Sequence, residues 1–242
     1  MTRVDIELYA ARHPHLSSEH VEPHLLEWLA RTTHETVLDV GCGSGRLIAA
    51  LEARHVLDPA SAKGVDLSVT HLARLRTRLP HVAAAVDDAE TLATVPDAAI
   101  DFVISTQVLE HVDDARMLIA VRRVLRPSGT AYISTVFKRP WAHFIWRTPR
   151  GEWALDPTHL REYTDEAELL RLIERAGLRL IDSRMVPLSF PALDFVVRRL
   201  SGLGVDPEAV IVSRLGRLAR RARVLIPGYF TWSLVLQPAS QG

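Results

Sequence analysis

Val37-Leu38-Asp39-Val40-Gly41-Cys42-Gly43-Ser44-Gly45 is the stretch that decides the fold of this chain. Thr36 to Val40 is a short run rich in β-branched residues, which suits a buried strand. Glycines at positions 41, 43 and 45 then make a tight loop, and Arg46-Leu47-Ile48-Ala49-Ala50-Leu51-Glu52 has the composition of a helix. The unit is strand, glycine loop, helix. Bare main chain in such a loop allows an approach that a Cβ would block. An open α/β sheet binds nucleotide-like ligands at this place, beyond the carboxyl ends of its strands.

Outward from this unit the alternation repeats. The spacing of apolar residues predicts an N-terminal helix over 19–31, helices over 69–78 and 113–125, and strands near 62–66, 81–86, 99–105 and 129–136. Pro127-Ser128-Gly129 reads as the stop of one helix and the start of the next strand. A further helix is expected over 164–176, with Thr164 as N-cap, acidic residues at the positive end of its dipole, and Gly177 at its end. Strands near 178–186 and 229–236 would close the sheet. Strands and helices in this order imply right-handed crossovers and a mostly parallel, doubly wound α/β sheet with helices on both faces. Residues 1–242 read as a single domain: an N-terminal helical cap over 1–35, a cofactor-binding core over 36–136, an active-site loop over 137–163 and a helical insertion over 188–226. Trp141, Trp146 and Trp153 lie in the loop, where stacked aromatics would serve as a lid and core packing is the alternative.

The 242 residues include 29 basic and 29 acidic side chains, with 48% hydrophobic and 24% charged residues. Disorder, collagen and coiled coil are excluded by that balance. Zero net charge argues against a nucleic-acid binder, whose affinity comes from clustered cations. Cys42 is the only cysteine, so no intrachain disulfide and no zinc site of several thiolates is expected. No run of 18 apolar residues occurs and the N-terminus lacks a secretory signal, so a cytoplasmic location is expected.

The carboxylate of Asp66, in Gly64-Val65-Asp66-Leu67-Ser68, falls at the end of the second strand, where it suits the two hydroxyls of a ribose. The loop is G-x-G-x-G, whereas dinucleotide folds use G-x-G-x-x-G against a pyrophosphate. Asp39 beside the loop is awkward for a pyrophosphate and suits a ligand that carries an amine and a sulfonium. S-adenosylmethionine (SAM) meets that description. For Asp39, Asp66 and Asp88 the structural alternative is a strand-end aspartate bonded to nearby amides. A nicotinamide-dependent oxidoreductase and a non-catalytic SAM-binding partner or regulatory subunit are the other readings of the same unit.

Val37 to Gly45 resembles the first motif of class I SAM-dependent methyltransferases, which implies a Rossmann-like seven-stranded sheet with an antiparallel last strand. Asp87-Asp88-Ala89-Glu90-Thr91-Leu92 resembles that family's loop after the third strand, Asp101 to Val112 its fourth strand and following segment, and Leu125-Arg126-Pro127-Ser128-Gly129-Thr130 the turn before its fifth strand. The resemblance implies cofactor contacts at Asp39, Gly41, Cys42 (through its backbone), Gly43, Gly45, Asp66, Leu67, Asp88, Ala89, Thr106 and Gln107, with Asp88 rather than Asp87 on the adenine amine. Val108-Leu109-Glu110-His111-Val112 and Asp156-Pro157-Thr158-His159-Leu160-Arg161-Glu162-Tyr163-Thr164 are similar to the quinone-biosynthesis and small-molecule branch. This implies a small-molecule acceptor, methylated most simply at oxygen, with His159 and His111 as candidate general bases. In the alternative, His111 packs the following helix and His159 pins the Trp-rich loop. In-line transfer from a sulfonium calls for no metal, and His13, His15, His20 and His24 read as solvated. The basic segment from Arg214 to Ile226 reads as a solvated arginine face or as a peripheral contact with anionic lipid. Oligomeric state is not read from the sequence.

Overall fold

The computed structural model describes residues 7, 21–32, 34–144, 146–193, 210 and 213–239. Its helices are α1 (Pro23–Leu29), α2 (Arg46–Glu52), α3 (Val69–Arg78), α4 (Asp114–Val124), α5 (Glu166–Arg175) and α6 (Arg214–Ala219). The strands are β1 (Val37–Val40), β2 (Ala62–Asp66), β3 (Ala83–Val86), β4 (Ile100–Thr106), β5 (Leu125–Lys138), β6 (Trp146–Arg147), β7 (Trp153–Ala154), β8 (Leu178–Pro191) and β9 (Arg223–Pro238). Seven of them form one sheet in the order β3-β2-β1-β4-β5-β9-β8, and β6 and β7 form a separate two-stranded hairpin. Neighbours from β3 to β5 pair in parallel, whereas β9 runs antiparallel to both β5 and β8. The expected sheet, including its antiparallel final strand, is the one observed.

Successive side chains on a strand point to opposite faces, so each strand feeds two cores. Leu38, Val40, Val103 and Ile133 pack with Met117, Leu118 and Val121 of α4 and with Leu169 and Ile173 of α5. Val37, Phe102, Ile104, Tyr132 and Val235 pack on the other face with α1, α2 and α3. Sheets covered on both sides carry near-continuous apolar strands, and all four residues of β1 are buried. Strand order reverses between β1 and β4, which opens a crevice at their carboxyl ends.

Several boundaries differ from the sequence expectation. The N-terminal helix occupies Pro23–Leu29, with proline at its first turn, and residues 19 and 20 lie outside the described residues. His24 is buried instead of solvated: Ser233 Oγ lies 2.7 Å from its Nδ1 and Asp182 Oδ2 lies 3.1 Å from its Nε2, bonds that fasten α1 to β9 and β8. His13, His15 and His20 lie outside the described residues. Asp165, not Thr164, caps α5, because its carboxylate accepts from Ala167 N. Helix α4 ends at Val124, before Pro127-Ser128-Gly129, and the turn is absorbed as a bulge in β5: Ile100 pairs with Leu125 and Phe102 with Thr130. A Cβ on Gly129 would stand 2.9 Å from Ile100 O, a close approach only glycine permits.

The helical insertion is smaller than 188–226, since β8 runs to Pro191 and β9 begins at Arg223, with Ser189 opposite Leu225. Pro227-Gly228 forms part of a bulge there, with Gly228 at φ 78°. Of the basic segment, Arg214–Ala219 is a short helix that exposes Leu215 and Leu218, and Phe195 to Leu200 lie outside the described residues. No helix of the described residues is long and apolar enough to cross a membrane. The expected tryptophan stack is replaced by a hairpin. Trp141 and Trp146 are exposed, and the face of Trp153 is covered by the Arg147 guanidinium, 3.7 Å from the ring centre.

Phe102 is fully buried at the middle of the sheet. Its truncation, Phe102→Ala, should destabilise the fold by about 3–5 kcal/mol, whereas Leu215→Ala on exposed α6 should shift stability by no more than about 0.5 kcal/mol. Urea denaturation midpoints measure both, and equal effects would contradict this placement of the core.

Candidate active site at the carboxyl edge of the sheet

The loop after β1 is built for close approach. Gly41, Gly43 and Gly45 have φ of 71°, 52° and 72°, a region that side chains disfavour. A Cβ on Gly41 would also fall 2.4 Å from Val108 Cγ2. Gly41 N and Cys42 N both donate to Val65 O, at 2.8 and 3.0 Å, so the loop is fastened to β2 through its own amides. The Cys42 thiol packs against Gly64 and is buried. That burial, with the nearby Asp39 and Asp66 carboxylates, pushes its pKa far up and leaves it inert.

Asp66 Oδ2 accepts from Gly43 N at 2.8 Å and its Oδ1 from Ser68 N at 2.8 Å, with His71 Nδ1 3.6 Å away. The carboxylate therefore braces the glycine loop against the first turn of α3. These are the strand-end bonds of the structural alternative, yet each oxygen retains lone-pair capacity toward the crevice. Glu7 reaches the same turn, accepting from Val69 N, Thr70 N and Ser68 Oγ.

Asp39 is 3% exposed and its Oδ2 has no hydrogen-bond partner. Burial, followed by the charge of Asp66, pushes its pKa up to about 8. An orphaned carboxylate oxygen beneath bare main chain is the mark of a site shaped for a cationic ligand, and the residues present fit SAM in that respect. After β3 the two aspartates differ. Asp87 is spent on structure, taking Thr94 N, Thr94 Oγ1, Ala93 N and Asp88 N, and those hydrogen bonds outweigh burial and lower its pKa. Asp88 gives only Oδ1 to Glu90 N and is half-buried beside buried Ala89. At the end of β4, Gln107 is exposed with φ 57°, and its N–H donates to Ser134 O. A non-glycine residue held there stores strain of the kind found at ligand clamps. Leu67 and Thr106 sit at the ends of β2 and β4, on the same rim.

His111 and His159 meet on that rim, with ring centres 4.7 Å apart in an edge-to-face arrangement. Thr158 Oγ1 lies 2.9 Å from His111 Nδ1 and donates to Asp156 Oδ1. Glu162 Oε1 lies 2.7 Å from His159 Nδ1, and Lys138 Nζ stands 3.2 Å from Glu162 Oε2. Burial opposes a proton on His159, but the carboxylates of Glu162, Glu110 and Asp156 outweigh it and raise its pKa. Glu110 is fully buried; Thr135 Oγ1 donates to its Oε2 at 3.0 Å, and its Oε1 has no hydrogen-bond partner. Next to this group lies a cavity of about 360 Å3 whose walls include Lys138, His143, Arg150, Trp153, Glu162 and Tyr163. Glu110, Lys138, Asp156, Thr158 and Glu162 were not singled out from the sequence. An acid three positions from a histidine in a loop carries no periodic signal, and Lys138 is marked only as one of two lysines in a chain of arginines.

Residues 15–183 match the methyltransferase-domain family. A Mycolicibacterium smegmatis protein named "Probable S-adenosylmethionine-dependent methyltransferase" is 35% identical over 157 residues, covering 63% of this chain and 55% of that protein. The chain thus spans little more than half the length of that relative. The ubiquinone biosynthesis O-methyltransferase of Pseudomonas paraeruginosa is 31% identical over 175 residues, 67% of this chain and 73% of the relative. Two solved structures share the fold. The [4+2]-cyclase SpnF superposes with a TM-score of 0.64 at 21% identity over 99% of this chain and 98% of its own. The Haemonchus contortus phosphoethanolamine N-methyltransferase 2 in complex with SAM gives 0.58 at 17% identity over 99% of this chain and 58% of its own. Fold likeness alone is shared by proteins of different chemistry, but the family match over most of the chain displaces the nicotinamide reading. The glycine loop, the acid-tipped strands and this match agree, and the chain belongs to the class I SAM-dependent methyltransferases.

Proposed function

We propose that the protein transfers a methyl group from SAM to an oxygen of a small molecule. The observation that carries the reading is the buried, unpartnered Asp39 oxygen under the Gly41–Gly45 loop, because it provides for a cation where the fold receives a cofactor. When bound, SAM supplies a methyl carbon activated by positive sulfur. The chain's own residues then have separable tasks. Asp39 takes the amine, the main chain around Gly41, Cys42, Gly43 and Gly45 lies against the methionyl group, and Asp66 with Leu67 receives the ribose. Asp88 and Ala89 border the adenine, and Thr106 and Gln107 line the methionyl side beyond β4.

His111 and His159 are assigned to the acceptor, whose hydroxyl they orient and relieve of its proton. Alignment of the acceptor oxygen behind the methyl carbon is worth more here than any single charged group. Oxygen is favoured over nitrogen because the two imidazoles sit together among carboxylates that strengthen them as bases, and because relatives of comparable length are named O-methyltransferases.

Three outcomes follow. Only ionised Asp39 pairs with the amine, so the apparent SAM affinity should fall about tenfold for each pH unit below about 8. Asp39→Asn should flatten that dependence and weaken binding at pH 8, as read by calorimetry. Between the ordinary carboxylate range and about 8, the folded state holds a proton the unfolded chain has lost, so this group makes stability decline as pH rises. Asp39→Asn should therefore raise the melting temperature of the cofactor-free protein at pH 7. In mass spectrometry of cell extract incubated with protein and SAM bearing a deuterated methyl group, the label is expected on a former hydroxyl. A label on nitrogen or carbon, or none with a protein that binds SAM, would overturn the oxygen assignment.

A further inference from the structure

We propose that α6 and the projecting end of the β8–β9 ribbon form a docking surface for an anionic lipid bilayer. Pairing of β9 with β5 stops at Lys138 opposite Tyr229, whereas its pairing with β8 continues to Pro191 opposite Arg223. The residues of β9 before Tyr229 therefore project past the carboxyl end of β5 as a two-stranded ribbon. This is the edge of the sheet that carries the glycine loop. Ile226 is buried there with Val136, Ala142, Leu188 and Tyr229, so a small core of its own anchors the ribbon.

Three observations point to lipid. First, the large apolar side chains that flank this anchor lie outside any core: Leu215 is 80% exposed, Leu218 58%, Val224 46% and Leu225 62%. A solvated arginine face would need the leucines of α6 packed beneath it, and the structure leaves them in water. Leu215 and Leu218, three positions apart, share one face of the helix. Single exposed apolar residues are ordinary, but a group of them marks an interaction surface.

Second, the charge is of one sign. From Ala209 to Gly242 the sequence holds five arginines and no acidic residue, although the whole chain is neutral. Arg214, Arg221 and Arg223 are exposed among the apolar residues. Arginine stems lie along apolar surface while their guanidinium groups reach outward, the arrangement that suits acyl chains below and phosphates above. A second copy of this chain would set the same arginines against one another, so the charge favours an anionic partner over a dimer. Third, Trp141 is 63% exposed and packs against Gly228 of the ribbon, where a Cβ would stand 2.8 Å from its ring. Tryptophan is favoured at the level of lipid head groups. Docking in this way turns the edge that holds the crevice toward the bilayer.

Sedimentation of the full chain with vesicles of phosphatidylglycerol and phosphatidylcholine, and with vesicles of phosphatidylcholine alone, tests the inference. The protein should pellet with the anionic vesicles, stay in solution with the neutral ones, and be released as salt is raised to ~0.5 M. Arg214→Gln and Arg221→Gln should each weaken binding about fivefold, and Leu215→Asp and Leu225→Asp each by about tenfold or more. Thermal unfolding establishes that each variant is folded. No pelleting of the wild-type protein with anionic vesicles overturns the inference, as does pelleting that all four folded variants leave unchanged. A dimer seen by light scattering and lost in Leu215→Asp, without vesicle binding, assigns the surface to a second copy and overturns it too. Calorimetry with S-adenosylhomocysteine is read separately: protein that pellets as expected but does not bind this ligand overturns the cofactor reading alone.

Discussion

Everything at the active edge depends on the placement of one carboxylate. Strand β1 lies inside the sheet between β2 and β4 with all four of its residues buried, and its third residue is Asp39. A charge there has lost its water and gained no donor for one oxygen, so burial favours the protonated form. The fold sustains this cost because the surrounding strands are packed on both faces. A bound cation would turn the same cost into a source of affinity, since the site does not have to discard a competing partner first.

The second constraint is the fastening of residues 156–163 to the end of β5. Lys138 N donates to Tyr163 O, Phe137 bridges to Tyr163, and Leu160 N donates to Glu110 O. These main-chain bonds carry His159 and Glu162 to His111 and Glu110. The placement of the two histidines therefore derives from backbone pairing to a rigid strand rather than from the loop itself, and such support is what holds a constellation of side chains precisely. The Lys138 ammonium, which also donates to Trp153 O, ties the small hairpin of β6 and β7 to the same anchor.

Much of the fold was legible in the chain. β1, β2, α3 and the parallel order of the first five strands follow from β-branched runs, glycine punctuation and helical spacing, all of which are local. The boundaries that shifted did so for non-local reasons. Pro127-Ser128-Gly129 and Pro227-Gly228 carry turn chemistry, yet each is taken into a long strand as a bulge because the partner strand continues beside it. His24 looks like one of several terminal histidines, and is buried only because β8 and β9, at the other end of the chain, supply Asp182 and Ser233. On the cofactor side, the residues named from the motifs all stand at one rim. The two histidines were named as well, but the carboxylates and hydroxyls that orient them were not.

By itself the sequence determined that a glycine loop follows a buried strand, that acids end the first three strands, and that a seven-stranded doubly wound sheet organises them. Those features are written in residues adjacent along the chain. The tertiary structure alone decided which acids are spent and which are left over. Asp87 is consumed by four donors, Asp66 is braced across two loops, and Asp39 and Glu110 each keep an oxygen unpartnered. Hydrogen-bond satisfaction is a property of neighbours in space, so no pattern along the chain records it.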